Sequence, residues 1–117
     1  MGNLGKEERY MIIPIYNLTL LPNMHYVLKI KNIDKKEMQS KIDNGEYIVA
    51  LPLKEKKKSP FTTNDFYKIG AMLHVDEIRN VTGGVSVTIQ VSSFAQVTNV
   101  AYEGSHLAGN IKEISDT

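Results

Sequence analysis

The chain has 117 residues, 42% of them hydrophobic and 23% charged, which suits one globular domain and excludes wholesale disorder. Its 14 Lys+Arg against 13 Asp+Glu leave a net charge of +1, without the basic excess from which nucleic-acid and membrane-surface binders draw affinity. There is no cysteine, so disulfides, thiolate nucleophiles and Cys-type zinc sites are excluded together.

Residues 1–9 are polar and of mixed charge, which predicts a flexible tail rather than a signal peptide, followed by one domain over residues 10–117. The longest apolar stretch is interrupted by Asn17, Thr19 and Asn23, far short of the roughly 20 residues that span a bilayer. The expectation is a cytoplasmic protein with no membrane contact. The sequons at Asn17 and Asn80 carry no weight without a secretory signal.

The segment from Tyr10 to Tyr16, dense in Met, Ile and Tyr, reads as a strand that Pro14 confines to an edge or a bulge. A turn at Leu20-Leu21-Pro22-Asn23 leads to a second strand, Tyr26 to Lys31, with Tyr26, Leu28 and Ile30 on one face. A helix of about three turns follows, with Asp34 as N-cap, Glu37 completing a capping box, and Met38 and Ile42 on one face. Asn44-Gly45 stops it. So short a helix is stable only when docked.

Glu46 to Leu53 reads as an apolar strand, and Lys54 to Asn64 as a charged loop containing Pro60. Tyr67, Ile69, Ala71, Leu73 and Val75 then alternate with Lys68, Gly70, Met72, His74 and Asp76, and Val85, Val87, Ile89 and Val91 alternate with Ser86, Thr88, Gln90 and Ser92 after Gly83-Gly84. Period two on both sides of a glycine turn predicts a hairpin. Gln96 to Tyr102 and His106 to Ile114 read as two further strands joined at Glu103-Gly104. The predicted fold is mainly β, a compact antiparallel barrel of six or seven short strands with one helix across an opening.

Chemistry is sparse. There is neither a GxxxxGK[ST] nor a GxGxxG segment to cradle phosphates. His25, His74 and His106 stand singly, without HExxH or HxH spacing, so no metal and no cofactor is expected. Ser105 and His106 adjoin on a strand and point apart, which rules them out as a nucleophile and its base. Asp76 and Glu77 diverge likewise. The lysines at 54, 56, 57 and 58 read as a solvated loop diluted by Glu55. Loops lie at the surface, so Leu21, Pro22 and Met24 in the turn, and Phe61 and Phe66 flanking the polar loop, are the candidate binding residues. The same side chains would otherwise close the ends of the barrel.

Taken in order, several segments resemble one family. Ile12-Ile13-Pro14-Ile15-Tyr16-Asn17 and Leu20-Leu21-Pro22-Asn23-Met24 resemble the "LPL" strand and "FPxM" turn that open the N-terminal domain of Lon proteases. Asp65-Phe66-Tyr67-Lys68-Ile69-Gly70-Ala71 looks like its "DLFxxGTxA" segment, and the stretch from Gly84 to Phe94 like its "GxxxVxVxGxxR" strand. The sequence departs from the pattern near Val27, at Ser93 and at Gln96, as a divergent member would.

The resemblance implies a PUA-like β-barrel without catalytic residues. Such a domain recognises unfolded or damaged protein segments for the ATPase and Ser–Lys peptidase modules of a Lon-type protease, in cis or in trans. Two other readings share these residues: a stand-alone RNA-binding domain using the lysine loop, and a structural module that self-associates.

Overall fold

The computed structural model describes residues 9–113, apart from 32, 34, 59 and 105. Six strands and one helix follow one another along the chain: β1 (Arg9–Ile15), β2 (His25–Lys31), α1 (Lys35–Asp43), β3 (Ile48–Pro52), β4 (Ile69–Val81), β5 (Gly84–Glu103) and β6 (His106–Glu113). A short 3-10 turn, Thr63–Asp65, precedes β4. The single sheet runs β2-β5-β4-β3-β1-β6, and β5 also pairs with β6. Strands β5, β4, β3, β1 and β6 therefore close on themselves, and β2 is added outside this ring along β5.

All the described pairings are antiparallel except β1 with β3, which run parallel with Ile12 opposite Val49 and Pro14 opposite Leu51. These two strands carry unbroken apolar runs because they are buried on both faces. Met11, Ile13, Ile48 and Ala50 enter one core, while Ile12, Val49 and Leu51 enter another on the opposite face.

One core lies beneath α1 and β2 and includes Met38, Leu73 and the valines of the β4–β5 hairpin. The other fills the side of the sheet toward β6 with Met72, Ala95, Val97 and Leu107. Bulges shift the alternation in both strands: on β5 the shift passes the strand from the first core to the second, and on β4 it returns the strand to the first. On β5, Val91 faces Leu73 and Ser93 faces Met72, leaving Ser92 as the extra residue. On β4, Val75 faces Ile89 and Glu77 faces Thr88, leaving Asp76 extra, so Ile78 joins the first core after Ala71, Leu73 and Val75.

The expected elements are present with three differences. β5 is one strand of 20 residues, and Gln96 to Tyr102 is its second half rather than a separate strand. Tyr67 and Ile69 do not join the alternation of Ala71 and Leu73; both are exposed, because β4 starts at Ile69 and is packed on both faces only over residues 70–73. Gly70 has no room for a side chain, since a Cβ there would lie 2.8 Å from the Ala50 carbonyl oxygen. Arg9, expected in the N-terminal tail, already belongs to β1, and residues 1–8 lie outside those described. The N-cap assigned to Asp34 falls outside the described residues; α1 is nine residues long, and Met38 is its fully buried anchor.

Candidate functional site

A groove of about 580 Å³ opens where the C-terminal ends of β1 and β2 meet the loop after β3. Its floor is apolar, with Ile12, Ile13, Pro14, Leu53 and Leu107. Lys29, Ile30, Lys31 and Ile33 form one wall. The loop after β3 contributes Lys57, Lys58 and Phe61, β5 contributes Tyr102, and Tyr16 and His106 complete the lining.

The lysine loop holds its shape through contacts the charge pattern does not reveal. Phe61 N–H donates to the Tyr102 hydroxyl at 3.1 Å, and Val100 N–H donates to the Thr63 hydroxyl at 2.7 Å. The Asp65 carboxylate accepts from Lys57 Nζ at 2.7 Å and from Thr62 N–H at 2.8 Å. The Lys57 hydrogen bond, aided by the Thr62 amide, holds the Asp65 carboxyl below its ordinary value of 3.8. Its contribution to folding is therefore complete above the ordinary value and lost as the pH falls through the lowered one. Asp65→Asn should loosen the loop at neutral pH, read as faster amide exchange over residues 54–66, and should abolish any further loosening between pH 5 and 2.

Among the described residues Lys29, Lys31 and Lys58 have no ion-pair partner, so the groove offers three unneutralised cations around an apolar floor. His106 is nine-tenths buried, with Nδ1 3.3 Å from a Glu37 carboxylate oxygen, which places the first turn of α1 beside the groove.

Of the five side chains expected to bind, Phe61 alone lines the groove. Leu21, Pro22 and Met24 lie on a separate surface turn, stitched to β5 by hydrogen bonds from Asn23 N–H to Val91 O (3.0 Å) and from Val91 N–H to Met24 O (3.1 Å). Leu20 turns inward, while Leu21 and Met24 are 53% and 50% exposed. Asn23 adopts φ of 64°, a left-handed conformation that asparagine tolerates and that reverses the chain here. Phe66 is only 3% exposed and has no surface to offer a ligand; its ring backs Phe61, with centroids 5.8 Å apart. The other lining residues do not stand out as binding residues in the sequence, because they come from segments far apart in the chain, as Tyr16, Ile30 and Tyr102 do.

His25 and His74, distant in sequence, flank the same carboxylate, at 3.8 and 3.6 Å from Asp76. The Asp76 bulge lies where β2 and β4 border β5 at Gln90, which explains the meeting. No group of three or more potential ligands for a metal ion occurs among the described residues. Ser105 lies outside them. No described helix is long and apolar enough to cross a membrane.

Comparison with known proteins gives one consistent result. Residues 9–117 match the family model of the ATP-dependent protease La (LON) substrate-binding domain. A Lon protease of Clostridium beijerinckii is 26% identical over 103 residues, 87% of this chain but 12% of that protein. The fold is similar to the N-terminal domain of a Mycobacterium avium complex Lon protease, with a TM-score of 0.70 at 12% identity, covering 94% of this chain and 56% of that one. It is also similar to a Lon N-terminal domain protein of Xanthomonas campestris, with a TM-score of 0.68 at 9% identity, covering 92% and 60%. The matched region is a substrate-binding domain, not a peptidase, so this chain is non-catalytic and belongs to the Lon substrate-binding domain family.

Proposed function

We propose that this chain receives unfolded or damaged protein segments on behalf of a Lon-type ATP-dependent serine protease in the cytoplasm. The observation that carries this reading is the exposure of Leu21 and Met24, both about half accessible, on a turn whose backbone is pinned to β5. An apolar side chain held outward on a rigid turn loses little entropy when a partner covers it. Phe61 in the groove supplies a second contact, and Phe66 supports it from behind.

Single contacts of this kind are weak. Copies brought together by ATPase modules, attached in cis or bound in trans, would raise avidity without stronger individual sites. Leu21→Asp and Phe61→Asp should each weaken binding of a reduced, unfolded protein by about tenfold, the effect of losing one hot-spot side chain. Leu21 lies outside both cores, so Leu21→Asp should leave the far-UV circular dichroism unchanged; Phe61 packs partly against the second core, so its variant is read only where the spectrum and thermal melt match the parent. Unchanged affinity in both variants would remove this site assignment.

A further inference from the structure

The wall of the groove formed by β2 contains consecutive residues, Lys29, Ile30 and Lys31, whose side chains point to opposite faces of the strand. Neighbours of opposite orientation share one groove only when the groove runs along the strand's edge. The hydrogen-bond pattern shows which backbone groups stand there. Met24 O accepts from Val91 N–H, and register then places Tyr26, Leu28 and Ile30 as the residues bonded to β5. The N–H and C=O groups of Val27, Lys29 and Lys31 point the other way, and no described strand pairs with them.

Across the groove, Ile15 O accepts from Leu53 N–H at 2.8 Å, so Ile13 and Ile15 bond toward β3 and Pro14 faces the β6 side. Pairing of β1 with β6 ends at Ile12–Leu107, and the next outward residue is a proline with no N–H to give. β6 begins at His106, directly after its turn from β5, and Pro14 adds no N–H to the edge of β1 beyond that point.

We propose that the outer edge of β2 takes up an extended client segment as an added strand, and that the groove selects segments in which acidic and apolar residues alternate. This deepens the client-receiving reading and rests on it. An added strand presents alternate side chains to opposite faces. One set would meet the apolar floor and Phe61, and the other would meet Lys29, Lys31 and Lys58, which have no ion-pair partner among the described residues. The same lysines repel a second copy of this edge, since β2 against β2 sets cation against cation. The edge is thereby kept from self-pairing and left for an anionic strand.

The test uses three labelled ten-residue peptides: alternating Glu-Leu, alternating Lys-Leu, and Glu-Leu with backbone N-methyl groups on every second residue. They are titrated into the chain by fluorescence anisotropy, alongside reduced, carboxymethylated α-lactalbumin as an unfolded protein. The expected result is Glu-Leu binding about tenfold tighter than Lys-Leu, and about tenfold loss when the methylated face is the one that must hydrogen-bond β2. Lys29→Gln should cost a few-fold, and Lys29→Pro, which also removes an N–H that β5 does not use, should cost about tenfold more.

Equal affinity of the methylated and parent peptides overturns strand addition, and this comparison stands even if Lys29→Pro does not fold. Equal affinity of the acidic and basic peptides overturns the charge selection. Displacement of Glu-Leu by a single-stranded oligonucleotide at similar affinity would reassign the edge to phosphate. Binding of the unfolded protein that survives Lys29→Pro undiminished defeats this inference alone. Failure of that protein and all three peptides to bind defeats the client-receiving reading itself.

Discussion

Replacing Gly84 by alanine is expected to cost about 3 kcal/mol or more, at the upper end of overpacking effects, and to lower the melting temperature by more than about 10 °C. Gly84 starts β5 opposite Lys31, and a Cβ there would lie 1.9 Å from the carbonyl oxygen of Ile30. The Ile30 oxygen belongs to backbone and the position of a Cβ is fixed by backbone, so no rotamer change relieves the contact. The only relief is for β2 to move off β5, which breaks the ladder from Lys31 inward and exposes Leu28. Gly83 is the control. Its φ of 85° disfavours a side chain, but a Cβ added there would meet nothing within 4 Å, so Gly83→Ala should cost only about 1 kcal/mol. Thermal melts of the two variants side by side check the contrast, and similar midpoints would contradict it.

Met38→Ala is the second large effect, at about 3 kcal/mol, within the range for removing a buried methionine side chain. Met38 is fully buried, and no other residue of α1 is. A nine-residue helix has little stability of its own, so losing its one deep anchor should release α1 before the sheet melts. Amide exchange over residues 35–43 should speed up more than exchange in β4 or β5. Met38→Leu keeps most of the volume and should cost less than about 1.5 kcal/mol. If exchange in α1 were unaffected by the alanine variant, Ile33 and Ile42 would have to hold the helix, as both pack partly against the same core.

How far the fold is legible in the sequence depends on the range of each signal. The hairpin of Leu73, Val75, Val85, Val87, Ile89 and Val91 is written in period two, and all six side chains are buried in one core. The capping pattern and the Met38–Ile42 spacing locate α1 nearly to the residue. Parallel pairing of β1 with β3 has a local trace, the unbroken apolar runs, but choosing the partner requires closing a loop through β2 and α1. The continuity of β5 is hidden because the period-two pattern from Val85 stops after Val91; Ser92 is a bulge that turns the strand from one core to the other.

The site is less legible than the fold. Leu21 and Met24 are recognisable because a turn made of apolar residues has nowhere to bury all of them, and only Leu20 goes inside. Phe66 misleads for the opposite reason: the loop beside it is polar, yet the chain re-enters the sheet there, and Leu53 pairs with Phe66 across an isolated bridge. The groove depends on Lys29, Phe61 and Tyr102 coming together, and no window of sequence contains them.

The pairing of Arg9 with Asn110 has a mechanical consequence. It puts the first described strand beside the last, in opposite directions, with both outer ends leaving the same side of the barrel. Tension between those ends parts β1 from β6 one backbone pair at a time, as a zipper opens, instead of loading every bond of the ladder at once. A domain wired this way yields at low force to a pull across those two ends.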